Sequence, residues 1–241
     1  MNPSIVTDLV VWYAVFLFST SLHEAAHALT AAYGGDYTAY YSGQATLNPI
    51  PHIRRERMGM VVVPLLSFFF SIYQGFPWMF GWASAPFNPY WAARYPRRAF
   101  AMSLSGPLSH LIPATVAWTA MLFGLRADLF QFAPREAVSL IVMPAGEGQP
   151  FLGALCLILS VMFLLNIILC VFNFLPLPPM DGSEIWYLFM KKEEGRLRWR
   201  HYFNSYSLVG LMLAWYIFPR VFLPVYGAAL RLLSHFGLGS G

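Results

Sequence analysis

Long apolar runs alternate along the chain with short polar or Gly/Pro-rich joints, and no hydrophilic block of domain size interrupts them. The first run, Ile5–Tyr33, is closed by Gly34-Gly35. A helix of that length reaches roughly 40 Å, ample for a bilayer. Around Ser42-Gly43, β-branched and aromatic residues predict two short strands, 37–41 and 44–47, joined by a tight turn. Asn48-Pro49 then breaks that pattern. The run 58–80 is long enough to span but carries Pro64, Gly75 and Pro77. Residues 81–89, G-W-A-S-A-P-F-N-P, read as a loop with an interfacial tryptophan. Clear spans follow at 98–125 and 151–172, and two last apolar runs, 202–218 and 221–236, flank Pro219-Arg220. The pattern predicts an all-α polytopic membrane protein of about five to six membrane segments. One of them is a re-entrant hairpin, and a small membrane-associated β-hairpin accompanies them. Residues 1–241 read as a single integral-membrane domain.

Composition agrees with that class. Of 241 residues, 58% are hydrophobic and 11% charged, about half the charge of an ordinary soluble domain. The net charge of +4 sits in basic clusters between apolar runs, so it sets topology and points to no nucleic-acid partner. Arg54, Arg55 and Arg57 precede the run 58–80, and Arg94, Arg97 and Arg98 follow it. If both flanks are cytoplasmic, that run enters and leaves on one side. The segment 191–200, K-K-E-E-G-R-L-R-W-R, is the strongest basic cluster and is placed on the same side. The loop 126–150, with Asp128, Glu136 and Glu147, suits the opposite side. Cys156 and Cys170 share one apolar run and read as packing residues. The N-terminal run lacks a basic region and holds polar residues, so it reads as a retained helix and not a cleaved signal peptide.

Those polar residues are His23-Glu24-Ala25-Ala26-His27. Ionisable groups at membrane depth are expensive to keep and mark function by default. Residues four apart share a helix face, so both imidazoles reach one metal, and the glutamate lies beside its water. A third ligand is expected where the third clear span ends in N-F-L-P-L-P-P-M-D-G, residues 173–182. Prolines so dense cannot continue a helix, and a broken helix at membrane depth lines a cavity or site. Asp181 is the natural candidate; by spacing alone Glu184 or Glu147 serves equally. His110, in the small-residue stretch S-L-S-G-P-L-S-H of residues 103–110, is either a site residue or a hydrogen-bonded packing residue. The expected hairpin, through Tyr37, Thr38, Ala39, Tyr40, Gln44, Ala45 and Thr46, offers an edge for an extended peptide.

The H-E-x-x-H at 23–27 with N-x-x-P-x-P-P-x-D-G at 173–182 resembles the site-2 protease family of intramembrane zinc metalloproteases. T-L-N-P at 46–49 through His52-Ile53, G-W-A at 81–83, Asn88-Pro89 and S-G-P at 105–107 resemble its compact prokaryotic branch, which lacks PDZ-like or CBS-like modules. The resemblance implies one zinc ion within the bilayer near the cytoplasmic face, held by His23, His27 and Asp181. It implies Glu24 as catalytic base, Asn173 as a residue holding substrate or oxyanion, and the 37–47 hairpin as the substrate-pairing sheet. It further implies transmembrane protein substrates and a prokaryotic plasma membrane. Two positions depart from the family pattern. His110 stands where relatives carry Asn, Ser or Gly, which leaves an oxyanion role there open, and Arg54 stands where many carry Asp. The competing readings are a proteolytically inactive zinc-bearing scaffold, chaperone or transporter-like protein, and a membrane metalloprotease with a glutamate as third ligand. An intact Glu24 speaks against the first and the Asp181-Gly182 context against the second.

Overall fold

The computed structural model describes residues 3–75, 77–134 and 139–237. Glu136, counted above among the loop acids, lies outside them. Helix α1 (Pro3–Tyr33) is stopped by Gly35 at a positive φ of 96°. Helices α6 (Pro96–Ser109) and α7 (Leu111–Arg126) form the second span, α8 (Pro150–Asn173) the third and α11 (Ser207–Gly237) the fourth. Among the described residues these four are long and apolar enough to cross a membrane. The break between α6 and α7 has a local cause: Pro113 has no N–H to give to the carbonyl of residue 109. It leaves His110 at the joint. In contrast, the apolar runs at 202–218 and 221–236 are not two segments. One helix, α11, continues through Pro219 and Pro224. The Arg220 guanidinium donates to Tyr216 O at 2.7 Å, one turn back.

The run 58–80 makes the fifth excursion. A π-helical turn (Met58–Val62) leads into α4 (Val63–Tyr73), and the chain comes back alongside as an extended segment. Every second residue of the return bonds to the descending helix. Trp78 N donates to Ser71 Oγ (2.9 Å), Phe80 N to Ser67 Oγ (3.0 Å) and Trp82 N to Gly59 O (3.0 Å). The two backbones touch because both carry glycine there: a Cβ on Gly81 would strike Gly59 O, and one on Gly59 would strike Trp82 O. The chain thus returns to the level at which it left, as the re-entrant reading expects.

The expected hairpin at 37–47 is a correction. Thr38–Tyr41 is a short helix, α2, and 42–47 are turns and bends. The Asp36 carboxylate accepts from Thr38 N (3.0 Å) and Thr38 Oγ (2.5 Å), which turns the chain at once. The tyrosines at 37, 40 and 41 pack edge-on or tilted against one another, not across a strand pair. Asn48-Pro49 opens another short helix, α3 (Pro49–Arg55), with the Asn48 side chain accepting from Ile50 N. The small sheet lies in the α7–α8 connection, where β1 (Phe130–Phe132) pairs antiparallel with β2 (Val142–Pro144).

The basic clusters gather around the end of α1. Arg98 donates to Gly34 O at 3.0 Å. Arg55 donates to Ser84 Oγ at 3.3 Å, beside the return segment. Arg196, on α10 (Glu193–Ser205), donates to Ala93 O at the end of α5 (Pro89–Arg94). At the other end Arg126 donates to Phe236 O, joining the C-termini of α7 and α11. Single cysteines placed at positions 55 and 97 are expected to react with an impermeant thiol reagent from the same face of sealed vesicles. Labelling from opposite faces would sink the re-entrant topology.

Candidate metal centre

Three atoms converge between α1 and the segment that follows α8. His23 Nε2 and His27 Nε2 are 2.9 Å apart, and Asp181 Oδ2 lies 3.0 and 3.3 Å from them. The two imidazoles share a face because they are one helical turn apart. Asp181 arrives by the break. The prolines end α8, residues 174–180 fold back, and Asp181 opens a 3₁₀ turn (Asp181–Ile185) that runs into the short helix α9 (Trp186–Phe189). Trp186 Nε1 donates to Pro176 O (3.0 Å), and Met180 N donates to Leu177 O (2.8 Å). Gly182 sits on the carbonyls of Phe174 and Leu175, where any Cβ would collide. Of the carboxylates left open by spacing, Glu147 is exposed and Glu184 is engaged by Arg200 at 2.6 Å. Asp181 alone joins the histidines.

The donor set fits a cation. His27 Nδ1 lies 2.8 Å from Met102 O. A carbonyl only accepts, so that nitrogen carries the proton and Nε2 presents a lone pair. Asp181 Oδ2 is close to both imidazoles yet accepts no hydrogen bond, and Glu24 Oε2 is likewise buried without a partner. Electron-rich atoms this close repel unless a positive charge sits among them. Tetrahedral zinc, with bonds of about 2.0–2.1 Å, sets its ligand atoms roughly 3.3 Å apart. Nearby, burial pushes the Glu184 carboxyl above its ordinary range against the pull of Arg200. Burial also raises the Tyr187 phenol to about 12.

Helix α6 backs the site closely. A Cβ on Gly106 would fall among His27 Nε2, His27 Cε1 and His23 Cε1. Small residues along the α1–α6 contact, Ala28, Ala31 and Ala99, are fully buried, as close helix approach in a membrane requires. His110 is 1% exposed and its Nε2 lies 3.0 Å from His23 Nδ1. Asn173 lines the same cavity, with its Nδ2 donating to Leu169 O at 3.0 Å. The cavity measures about 1060 Å³, at the top of the range for small-molecule sites. Phe16 and Glu24 of α1, Met79 and Ala83 of the return, and Leu211 and Trp215 of α11 are among its walls. Sequence reasoning missed Gly106 as a ring contact, and also Asn166 and Ser19 behind His110. Asn166, a lone amide in an apolar run, was the available signal.

The arrangement defines a multi-pass membrane protein with two histidines and an aspartate grouped so that they could hold a metal ion, and a buried glutamate with an unpartnered oxygen on the same cavity wall. The model of Peptidase family M50 matches residues 83–217. Over 190 residues the chain is 30% identical to the Bacillus subtilis (strain 168) protein named "Putative zinc metalloprotease YwhC", covering 77% of this chain and 68% of that one. No solved structure matches significantly. The chain belongs to peptidase family M50, the site-2 protease family to which its motifs point.

Gly106→Ala is expected to displace the imidazoles, since overpacking of this kind costs about 1–3 kcal/mol. Zinc retained through purification, measured by atomic emission, should fall below the wild-type ratio while the protein still inserts and purifies. Wild-type zinc content would show that α6 has room to give.

Proposed function

We propose that this chain is an intramembrane zinc metalloendopeptidase that hydrolyses peptide bonds in or near transmembrane segments of membrane-protein substrates. The observation that carries the reading is the convergence of His23, His27 and Asp181 beside the unpartnered Glu24, on the wall of a large, mainly apolar cavity. The three ligand atoms accommodate one ion. When bound, zinc supplies a Lewis acid and lowers the pKa of a water toward neutrality. Glu24, buried on the cavity wall beside the two histidines with Oε2 unpartnered, accepts the proton of the attacking water and delivers it to the leaving amine. Asn173 lies on the cavity wall where its amide can reach a developing oxyanion after giving up its bond to Leu169 O.

A peptide bond in a transmembrane helix is shielded by its own hydrogen bonds, so the substrate must unwind locally. The extended return segment offers a partner for the unwound chain. Its residues 78, 80 and 82 spend their N–H groups on α4 and the π turn. With a strand's period of two, Met79, Gly81 and Ala83 present theirs to the other side. No hydrogen bond is made by those three among the described residues. Strand addition there takes the place of the pairing expected at 37–47. The gathering of basic clusters at the same end as the site supports a cytoplasmic active-site side. The similarity to a Bacillus protein supports a prokaryotic plasma membrane.

Glu24→Gln is expected to keep its zinc and to lower cleavage of a membrane-tethered reporter by about 10²–10⁴-fold, the range for a lost general base. Turnover near wild type in purified protein would refute the base assignment. Ala83→Pro, which deletes one N–H from the return segment, should lower cleavage of transmembrane substrates and leave zinc content unchanged. Equal cleavage by this variant would remove strand pairing from the mechanism.

A further inference from the structure

His110 belongs to a closed line of hydrogen bonds that ends on a zinc-ligand candidate. Asn166 Nδ2 lies 2.8 Å from Met162 O and 2.9 Å from Ser19 Oγ. Because Met162 O can only accept, the amide nitrogen must face it, and Oδ1 therefore faces His110 Nδ1, at 2.9 Å. Oδ1 is an acceptor, so His110 Nδ1 carries a proton. In a neutral ring Nε2 is then bare and accepts from His23 Nδ1, 3.0 Å away. His23 Nε2 is left with its lone pair directed at Asp181 and His27. A doubly protonated His110 would reverse the last step: its Nε2–H would need a bare His23 Nδ1, and the proton of His23 would point into the metal site.

We propose that His110, held by Asn166, is a positioning residue for the metal centre that fixes both the tautomer and the ring orientation of His23. The inference rests on the zinc reading for its purpose, though not for its geometry. Three features support it. All members are buried, with Ser19 and Asn166 at 0% and His110 at 1% exposure. The line ties α1, the α6–α7 joint and α8 together, so His23 is braced by two further spans. The rings of His110 and His23 lie 4.9 Å apart and 35° from parallel, a fixed mutual orientation. His27 has a simpler arrangement, since a backbone carbonyl of α6 holds its Nδ1. Ligating histidines generally need such partners, and losing one lowers metal affinity about 10–100-fold.

The test has two readouts. With ¹⁵N-histidine labelling of the metal-free protein, which has six histidines, His23 and His110 are both expected as neutral rings protonated at Nδ1. A His110 protonated at Nε2, doubly protonated at neutral pH, or exchanging freely between tautomers would overturn the proposal. The second readout is zinc affinity by chelator competition. His110→Phe is expected to weaken it about 10–100-fold, and His110→Gln, which keeps an acceptor near the old Nε2, to recover much of the loss. Asn166→Leu should weaken zinc with His110 and His23 both in place, and should release the His110 tautomer. Affinity within about threefold of wild type in His110→Phe, or a glutamine no better than phenylalanine, would sink the idea. If His110→Phe does not fold, the wild-type spectrum and Asn166→Leu still decide. If the wild-type protein binds no zinc, the metal reading fails, while the tautomer spectrum tests the line of hydrogen bonds by itself.

Discussion

Two imidazole nitrogens and a carboxylate oxygen sit 2.9 to 3.3 Å from one another inside a hydrophobic bundle. Left to themselves they repel. The fold holds them there by removing everything that would occupy the same space. Helix α6 comes within ring contact because residue 106 has no side chain. The segment carrying Asp181 folds onto the end of α8 because residue 182 has none. Helix α11 then presses on that segment at Gly210, where a Cβ would strike the Pro178 backbone. Each segment that carries a candidate ligand is clamped through a glycine: the imidazoles of α1 pack on Gly106, and the segment of Asp181 is held on backbone carbonyls through Gly182 and Gly210.

The re-entrant segment answers a different need. Hydrolysis requires water and an accessible peptide within a region otherwise filled by apolar side chains. Irregular backbone at membrane depth is tolerated where it is buried in protein or lines a cavity. The return segment does both at once. On one side Ser67, Ser71 and Gly59 take up its N–H groups, and on the other it faces the cavity. A helix in this place would have spent all its backbone groups on itself. The extended chain leaves alternate N–H groups unspent, which is what the proposed strand addition draws on.

The parts of this architecture differ in how far residue order reveals them. A helical metal motif is legible because its two ligands are local: the four-residue spacing is itself a distance. Asp181 was only one of three candidates, since spacing along the chain says nothing of separation in space. The fold brings Asp181 to the histidines, pairs Glu184 with Arg200 and leaves Glu147 exposed. The hairpin at 37–47 was misread because tyrosine and threonine report how well a side chain suits a pleated surface, not whether a partner strand exists. Asp36 turns the chain into a short helix there instead, accepting from Thr38. The extended element that does exist, at 78–82, straddles the end of the apolar run read at 58–80 and the start of the loop read at 81–89, and W-M-F-G-W shows no polar alternation to mark it. Its extended form is held by serines seven and thirteen residues back on the descending helix. Pro219 looked like a break between two spans, yet α11 runs through it, since in a membrane helix a freed carbonyl finds another partner.

His110 had seemed to be either a site residue or a packing residue, and the geometry removes the need to choose. A polar group buried among apolar helices must end its hydrogen bonds somewhere, and where they end decides what it does. Here one end of the line is Met162 O, a carbonyl with no proton to give. That single fact orients the Asn166 amide, the amide orients His110, and His110 orients His23. Had the line ended on a hydroxyl, which can donate or accept, either tautomer of His23 would be allowed. The carbonyl terminus makes the relay directional, so the packing of α8 against the α6–α7 joint bears on the electronic state of a residue on α1.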